Sequence, residues 1–400
     1  MTTCTMDAQE LDELRQTVRG LFTRHWPVET ARAARYGTPG GHGTAATGLW
    51  RALADAGILG IPFPESYRGG GASMAPLAVV LHEAGRALCP SLLAATLTTA
   101  RAIDLFGSER QRAQWLPRLI SGEVMVATAV TAGRAGPATV PVVRARRHGN
   151  VWRLDGSLAL VAGATRADVL TVTVELLRPP GSGPSAGLAI VPMAGGGVHV
   201  TPRSTMVGSE LCDITLDAVQ VTGNDLIGSS LENPAPSHAT GGVVAHARAV
   251  FAVLRSLELL GGASAVLERT VGYASARLQF GRPIGSFQAV QHLVADASIA
   301  IDGAQLAAEH ALLLVDAGGL AVREVAIAAL ASGRASKHAM WTAHQVHGGI
   351  GFAAESDLHL WSERTKVMDV LGGGAGVHLA HLADVLASSR LQPAKEDRSV

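Results

Sequence analysis

One long segment without proline, from Val243 to Arg277, constrains the fold of this chain more than any other feature. Proline breaks helices, and a helix over this segment would be ~50 Å long at ~1.5 Å per residue. Gly261 and Gly262 lie in its middle and weaken it, so another element is expected to pack closely there. Four more segments with helical apolar spacing follow, at about 286–316, 321–347, 355–370 and 375–388. Long helices joined in this way are typical of a four-helix bundle.

The chain before this bundle divides into two parts with different periodicity. Apolar residues recur at helical spacing up to residue 125, and Ser108 before Glu109 is a typical helix N-cap. From 126 the apolar period changes to two, as in short strands, and Asp155-Gly156 predicts a hairpin turn. The predicted fold class is α+β, with a boundary loop at 231–242. Its parts are an N-terminal helical domain (1–125), a middle small β-barrel domain (126–235), a C-terminal four-helix bundle (236–390) and a polar tail (391–400).

Charge and cysteine content disfavour several classes of protein. Lys and Arg number 33, Asp and Glu also number 33, and no basic run occurs, so no nucleic-acid partner is expected. The three cysteines, Cys4, Cys89 and Cys212, are far apart and odd in number, which disfavours disulfides and favours a cytoplasmic protein. The acidic start is unlike a signal peptide, and without ~18 uninterrupted apolar residues no membrane span is expected. Only 16% of the residues are charged, which favours an oligomer.

Several short motifs recur in the order and spacing of one enzyme family. They are Pro64-Glu65 with Gly69-Gly70-Gly71, Leu116-Pro117 with Ser121-Gly122-Glu123, Arg277 to Ile284, Gln345 to Phe352, and Val370 to Gly374. Together with the domain layout, they resemble the acyl-CoA dehydrogenase family over nearly the whole chain. The resemblance implies a FAD-dependent oxidoreductase that dehydrogenates an acyl thioester between its α and β carbons. It also implies that each flavin site is built by two subunits.

The motifs that would serve the flavin of a neighbouring subunit are retained. The resemblance implies that Arg277 pairs with the cofactor pyrophosphate, since a guanidinium fork suits phosphate oxygens. The resemblance also implies that six further candidate cofactor-binding residues contact the same end of FAD. They are Phe280, Gly281, Gln288, Gln345, Gly348 and Gly349. The alternative for the glycine pair is a plain helix C-cap, and for Arg277 a surface charge.

The motifs that would hold this chain's own flavin are eroded. Where the family has T-E-P-x-x-G-S-D, residues 131–138 keep Thr131 and Gly136 but place Pro137 at the serine position. Proline has no N–H to donate to a phosphate. Leu160 stands at the family's aromatic position and Ala162 at its hydroxyl position, so the Ala162 side chain cannot hydrogen-bond the flavin ring.

The catalytic base is missing at both positions where the family carries it. The resemblance places Gly372 on the usual glutamate and Phe251 on the alternative one, with Ala252 at a nearby basic position. Neither side chain accepts a proton, so no catalytic residue is assigned. Losing a general base lowers the rate about 10²–10⁴-fold.

Two carboxylates and three histidines are the candidate substitutes for the base. Asp369 lies three residues before Gly372, and Glu258 lies two turns beyond Phe251, ~10 Å along the helix axis. Both are more simply read as solvated or ion-paired carboxylates. Histidines 344, 347 and 378 show no ligand spacing with a matching acid, so no metal site is expected.

The pattern of kept and lost motifs favours a partner subunit. In that interpretation the chain completes the FAD site of a homologous acyl-CoA dehydrogenase subunit, as a dimer or an α2β2 tetramer, and the acyl group is a CoA thioester with a steroid side chain as one candidate. Electron-transfer flavoprotein is a further candidate partner. The alternatives are a stand-alone FAD-dependent acyl-CoA or acyl-carrier oxidoreductase with an unconventional base, and a non-redox scaffold protein of the same fold.

Overall fold

The computed structural model describes residues 6–37, 43–130, 143–177, 185–228 and 242–390. The predicted boundary loop (231–242) lies outside this range except for Gly242, and the predicted tail (391–400) lies wholly outside it. Six helices form the N-terminal part: α1 (Ala8–His25), α2 (Val28–Tyr36), α3 (Gly43–Asp55), α4 (Leu77–Arg86), α5 (Leu92–Phe106) and α6 (Glu109–Ile120). Ser108 caps α6, because its side chain accepts the backbone N–H of Gln111. Helix α5 is buried on almost every side and forms the centre of this domain.

One eight-stranded sheet forms the middle part of the chain. Its strands are β1 (Val126–Ala129), β2 (Val143–His148), β3 (Val151–Ala162), β4 (Val169–Leu177), β5 (Ser185–Pro192), β6 (Val198–Thr205), β7 (Gly208–Thr222) and β8 (Leu226–Ile227). They pair in the order β6-β7-β3-β2-β4-β5-β8, and β1 pairs with β4 off this path. Burial alternates along β2, so one face of that strand packs on the core.

The hairpin predicted at Asp155-Gly156 is wrong. Both residues lie inside β3, which continues to Ala162, and the turn before β3 is at Gly149-Asn150. A register shift against β7 falls between Leu154 and Gly156, so Asp155 marks a bulge. Its carboxylate accepts the backbone N–H of Ala218 at 2.9 Å. Pairing with a strand more than fifty residues away therefore outweighs the local turn preference of this dipeptide.

Five helices follow the sheet. They are α7 (Gly242–Ala276), α8 (Gln288–Asp316), α9 (Val322–His347), α10 (Leu358–Leu371) and α11 (Gly374–Arg390). Helices α7, α8 and α9 pack against one another, and α11 packs on α9, which makes the predicted four-helix bundle with α10 as a short connection. A small hairpin of β9 (Leu278–Gln279) and β10 (Arg282–Pro283) joins α7 to α8. The α+β fold class is confirmed.

The close approach predicted at Gly261 is present where α7 crosses α4. A Cβ atom at Gly261 would lie 1.8 Å from the backbone oxygen of His82. Gly85 on α4 makes the reciprocal contact, since its Cβ would lie 1.8 Å from the backbone oxygen of Glu258. Only glycine lets the two backbones meet at this distance, so the crossing fixes the N-terminal helices on the bundle.

Three helical segments are long and apolar enough to cross a membrane when only length and composition are considered: Gly242–Ala276, Gln288–Asp316 and Leu358–Ser388. The prediction of no membrane span required ~18 uninterrupted apolar residues. A criterion based on mean hydropathy also accepts segments that contain isolated polar residues. The apolar window of the first segment is 89% buried inside the fold, against 33% and 6% for the others. The first segment is therefore apolar because it forms the bundle core.

Candidate functional site

The two motifs assigned to a neighbour's cofactor meet at one end of the bundle. Tyr273 lies in the last turn of α7, four residues before Arg277, and stacks on the ring of His347 with centroids 4.4 Å apart. His347 directly precedes Gly348 at the end of α9. The turn just before α8 reaches the same place, because a Cβ at Gly285 would lie 3.1 Å from the backbone oxygen of Ala274 in the last turn of α7. The structure thus places the Arg277, Gln288 and Gln345 motifs at the same end of the bundle.

Phe280 and Gly281 form the tip of the hairpin between β9 and β10. Both have positive φ, 53° and 78°, as the two central residues of a type I′ turn require. Phe280 is 91% exposed, and its ring stands at right angles to that of Phe287 with the centroids 6.2 Å apart. Positive φ is unfavourable for a phenylalanine, so the tip keeps a large apolar ring in water at some cost in backbone energy.

All seven candidate cofactor-binding residues are exposed on this end of the bundle. Gly348 caps α9 at φ 61° and ψ −140°, a conformation that needs glycine whether or not a phosphate is bound. A Cβ at Gly349 would meet nothing within 4 Å, so packing does not explain that glycine. Arg277 makes no ion pair with any carboxylate of the described residues. Its exposed guanidinium, at the same end of the bundle as Gly348 and Gly349, suits an anionic phosphate group.

Gly372 ends α10 in an ordinary conformation. Its φ is −71°, which any residue adopts, and a Cβ there would lie 3.2 Å from the backbone oxygen of Met368. The backbone therefore does not demand glycine at this position. The side chain of His378 lies next to it, with Nε2 2.9 Å from the Gly372 carbonyl oxygen. Burial lowers the pKa of His378, so the ring is neutral near pH 7.

The second base position is apolar and buried. Phe251 and Ala252 both belong to the core on α7. The guanidinium of Arg255, one turn further, lies 5.3 Å from the Phe251 ring centroid. An aromatic ring under a cation offers no proton acceptor, so this position supplies no base either.

Glu258 is held in a buried ion-pair network and is not free to act as a base. Its side chain is 8% exposed and bonds Arg255, and its other oxygen lies 2.6 Å from Arg364. Burial alone would raise the pKa of Glu258, but the two guanidinium groups outweigh burial and lower it. A carboxylate with a lowered pKa and two cationic partners is a poor proton acceptor. Asp369 is also engaged, with Oδ2 3.1 Å from Nζ of Lys337.

The network around Arg364 joins all three parts of the chain and was not predicted from the sequence. Arg364 on α10 bonds Glu258 on α7 and the backbone oxygen of Cys89 before α5, and it pairs with Glu210 on β7 at 3.3 Å. Glu210 also accepts the backbone N–H of Ser91 at 3.1 Å. The i, i+3 spacing of Arg255 and Glu258 was the one local sign of this network.

The flavin-ring side of the site is described only in part. The eroded motif at 131–138 lies outside the described residues. Leu160 sits on a bulge of β3 with φ 58° and 38% exposure, and its N–H donates to Asp213 at 3.1 Å. Ala162 offers no polar side-chain atom. Leu160 and Ala162 themselves can therefore offer a flavin ring apolar surface but no side-chain hydrogen bond.

Comparison with known proteins agrees with the geometry. The acyl-CoA dehydrogenase N-terminal domain matches residues 8–123 and the acyl-CoA dehydrogenase C-terminal domain matches residues 242–387. The acyl-CoA dehydrogenase fadE12 of Mycobacterium bovis is 30% identical over 321 residues, which are 77% of this chain and 79% of that protein.

Two solved structures share the fold over almost the full length. A variant of the Tcur3481-Tcur3483 steroid ACAD has a TM-score of 0.83 and 29% identity, covering 96% of this chain and 99% of its own. The ChsE4-ChsE5 complex from Mycobacterium tuberculosis has a TM-score of 0.82 and 27% identity, covering 98% of this chain and 100% of its own. Because both domain families match, a relative is 30% identical and the fold is shared, the chain belongs to the acyl-CoA dehydrogenase family, whose members are FAD-dependent oxidoreductases.

Proposed function

We propose that this chain is the base-lacking subunit of a mixed acyl-CoA dehydrogenase. It presents the exposed end of its bundle to a homologous subunit that holds the flavin ring and carries the catalytic glutamate. In that arrangement Arg277, Gln288, Gln345 and the Gly348-Gly349 backbone bind the adenosine-diphosphate end of the shared FAD. The reaction is α,β-dehydrogenation of an acyl thioester.

One contrast carries this proposal. Gly372 and Phe251 supply no base, and the nearby carboxylate of Glu258 is ion-paired on both sides. The seven donor-side residues, by comparison, are all exposed and at one end of the bundle. If the chain had lost its function altogether, substitutions would be expected in both groups of motifs, not only in those for its own flavin and base.

The nature of the similar structures supports a mixed assembly and suggests the substrate class. Both solved structures described above are named as pairs of different chains, and one is named a steroid ACAD. We extend this to the present chain as a proposal: its partner is a homologous chain, and its acyl group is a steroid side-chain thioester.

The roles of the residues follow from this division. FAD, when bound, would supply the acceptor for the hydride that leaves the β carbon of the thioester. The α-proton goes to the partner's carboxylate, because no residue at Gly372 or Phe251 can take it. The contribution of this chain is electrostatic and positional: the Arg277 fork neutralises pyrophosphate charge, and the glycine backbone allows close approach.

The decisive experiment compares the visible absorption spectrum of the chain purified alone with that of a co-purified pair. The partner in the pair is a homologue that retains the glutamate. We expect the chain alone to bind little flavin, and the pair to be yellow and to dehydrogenate acyl-CoA. A homo-oligomer with one FAD per chain and acyl-CoA turnover would establish the stand-alone enzyme instead. Absence of flavin and turnover from both samples would favour the scaffold protein.

A further inference from the structure

A small cavity lies where α2, α10 and the start of β7 meet. Its volume is about 60 Å³, and it is partly open to solvent. A single water needs ~10–15 Å³ of such a volume, so the cavity has room for a small polyatomic ion but not for coenzyme A or a nucleotide. Apolar side chains form much of its wall, and five charged side chains complete it: Arg35, Arg166, Glu210, Glu363 and Arg364.

Four of these five charged groups form ion pairs with one another. Nε of Arg35 lies 3.0 Å from Glu363, and Arg364 pairs with Glu210 at 3.3 Å. Arg166, in the turn between β3 and β4, makes no ion pair with a carboxylate of the described residues. The wall of the cavity therefore carries one positive charge in excess.

The guanidinium of Arg166 also lacks a hydrogen-bond partner in the described part of the chain. Its Nε is shielded from solvent, although the residue as a whole is half-buried. Asp168, two residues further on, is exposed and accepts the backbone N–H of Met125 instead. A buried donor without an acceptor is costly, so we expect a group that accepts hydrogen bonds and carries negative charge beside Arg166.

The wider network does not cancel the excess charge. Arg364 also bonds Glu258, but Arg255 adds a second cation to that carboxylate. Burial alone would raise the pKa of Glu210, but Arg364 and Arg166 are among the groups that lower it overall, so Glu210 is ionised. Even with every carboxylate ionised, one positive charge beside the cavity stays unbalanced by the described residues.

We propose that this cavity binds a small oxyanion, a phosphate ion or a short carboxylate, with Arg166 as the binding residue. The planar guanidinium presents its N–H groups as a fork that fits two oxygens of such an ion. The ion supplies the negative charge that the wall lacks and joins the N-terminal helices, the sheet and the bundle at one point. The inference is independent of the proposed function, because FAD, the acyl thioester and the partner subunit play no part in it.

Isothermal titration of the purified full-length chain tests the inference. Sodium phosphate and sodium acetate are titrated separately into chloride buffer at constant ionic strength, so that the two sources of the oxyanion are distinguished. We expect the wild-type chain to bind at least one of them. Arg166→Gln should weaken that binding about 10–100-fold, the usual effect of losing a hydrogen bond to a charged group. Arg146→Gln, which removes the same charge from an exposed site on β2, should leave it unchanged.

Thermal unfolding gives a second readout. In chloride buffer alone, Arg166→Gln should unfold at the same temperature as the wild type or higher, because it removes an unpaired charge. With the bound anion present, only the wild type should gain melting temperature through binding.

Three results would overturn the inference. The wild-type chain might bind neither anion at millimolar concentration, or Arg166→Gln might bind it as tightly as the wild type. The third is failure of Arg166→Gln to fold in chloride, as judged by circular dichroism, because Arg166 would then support the fold without an ion.

Discussion

Nε2 of His378 lies 2.9 Å from the carbonyl oxygen of Gly372. The imidazole therefore holds the turn between α10 and α11 at the residue that replaces the family's glutamate. Because burial lowers the pKa of His378, the neutral ring donates this hydrogen bond from Nε2. His381, 6.3 Å away between ring centroids, lowers the pKa further, and Asp369 acts in the opposite direction.

The lowered pKa of His378 predicts a loss of stability in acid. Below the unfolded pKa of about 6.5 the unfolded chain binds a proton that the folded ring resists, so the free energy of unfolding falls as pH falls. Urea unfolding at pH 7 and pH 5 should show a smaller decrease for His378→Gln, which keeps a donor and cannot titrate. An equal decrease in both proteins would show that His378 does not contribute.

The crossing of α4 and α7 predicts opposite effects for two glycine substitutions in one helix. Gly261→Ala should destabilise the chain by about 3 kcal/mol or more, because its Cβ would overlap the backbone of His82. Gly272→Ala, where a Cβ meets nothing within 4 Å, should stabilise it by about 0.5–1 kcal/mol. Thermal unfolding of the two variants checks this. Equal melting temperatures would mean that the crossing is looser than described.

Loss of Arg364 should be among the most damaging single changes. Arg364→Met leaves Glu210 and Glu258 short of a cation, and breaking a buried pair in this way costs about 3–5 kcal/mol. Arg15→Met removes an exposed ion pair with Asp12 and should cost less than about 1 kcal/mol. Denaturant midpoints of both variants measure the difference. A small effect of Arg364→Met would indicate that water compensates the two glutamates.

Within the co-purified pair, Arg277→Ala should release FAD. Removal of a charge-assisted contact to phosphate is expected to weaken cofactor binding at least about tenfold, seen as a lower ratio of flavin to protein absorbance. Leu160→Ala should change that ratio little, because the proposed ring site belongs to the partner. If Leu160→Ala abolished flavin binding instead, the division of the site between two subunits would be wrong.

Gly372→Glu tests whether the missing base is the only defect. The φ of −71° accepts glutamate, and the Met368 oxygen must give way by only a few tenths of an ångström, so the variant should fold. The variant purified alone is expected to remain colourless and inactive, because Leu160 and Ala162 supply no side-chain hydrogen bond to a flavin ring. Flavin binding with acyl-CoA turnover in this variant would refute the partner-subunit proposal.

The sequence predicted the helices well because each follows a local period. The expected helix at 321–347 is α9 at Val322–His347, and the expected close contact at Gly261 is real. The hairpin predicted at Asp155-Gly156 does not form, because the local sequence does not indicate the pairing of β3 with the distant strand β7. The Arg364 network was missed for the same reason, as Cys89, Glu210 and Glu258 are far apart in sequence. The seven cofactor residues remain predictions.

The Arg364 network has a practical consequence for protein engineering. Its members come from the N-terminal helices, the sheet and the bundle, so a chimera that exchanges one of these parts with a homologue would separate charges that balance only together. Designs that graft a flavin-binding middle domain onto this bundle should transfer Ser91, Glu210, Glu258 and Arg364 as one matched set.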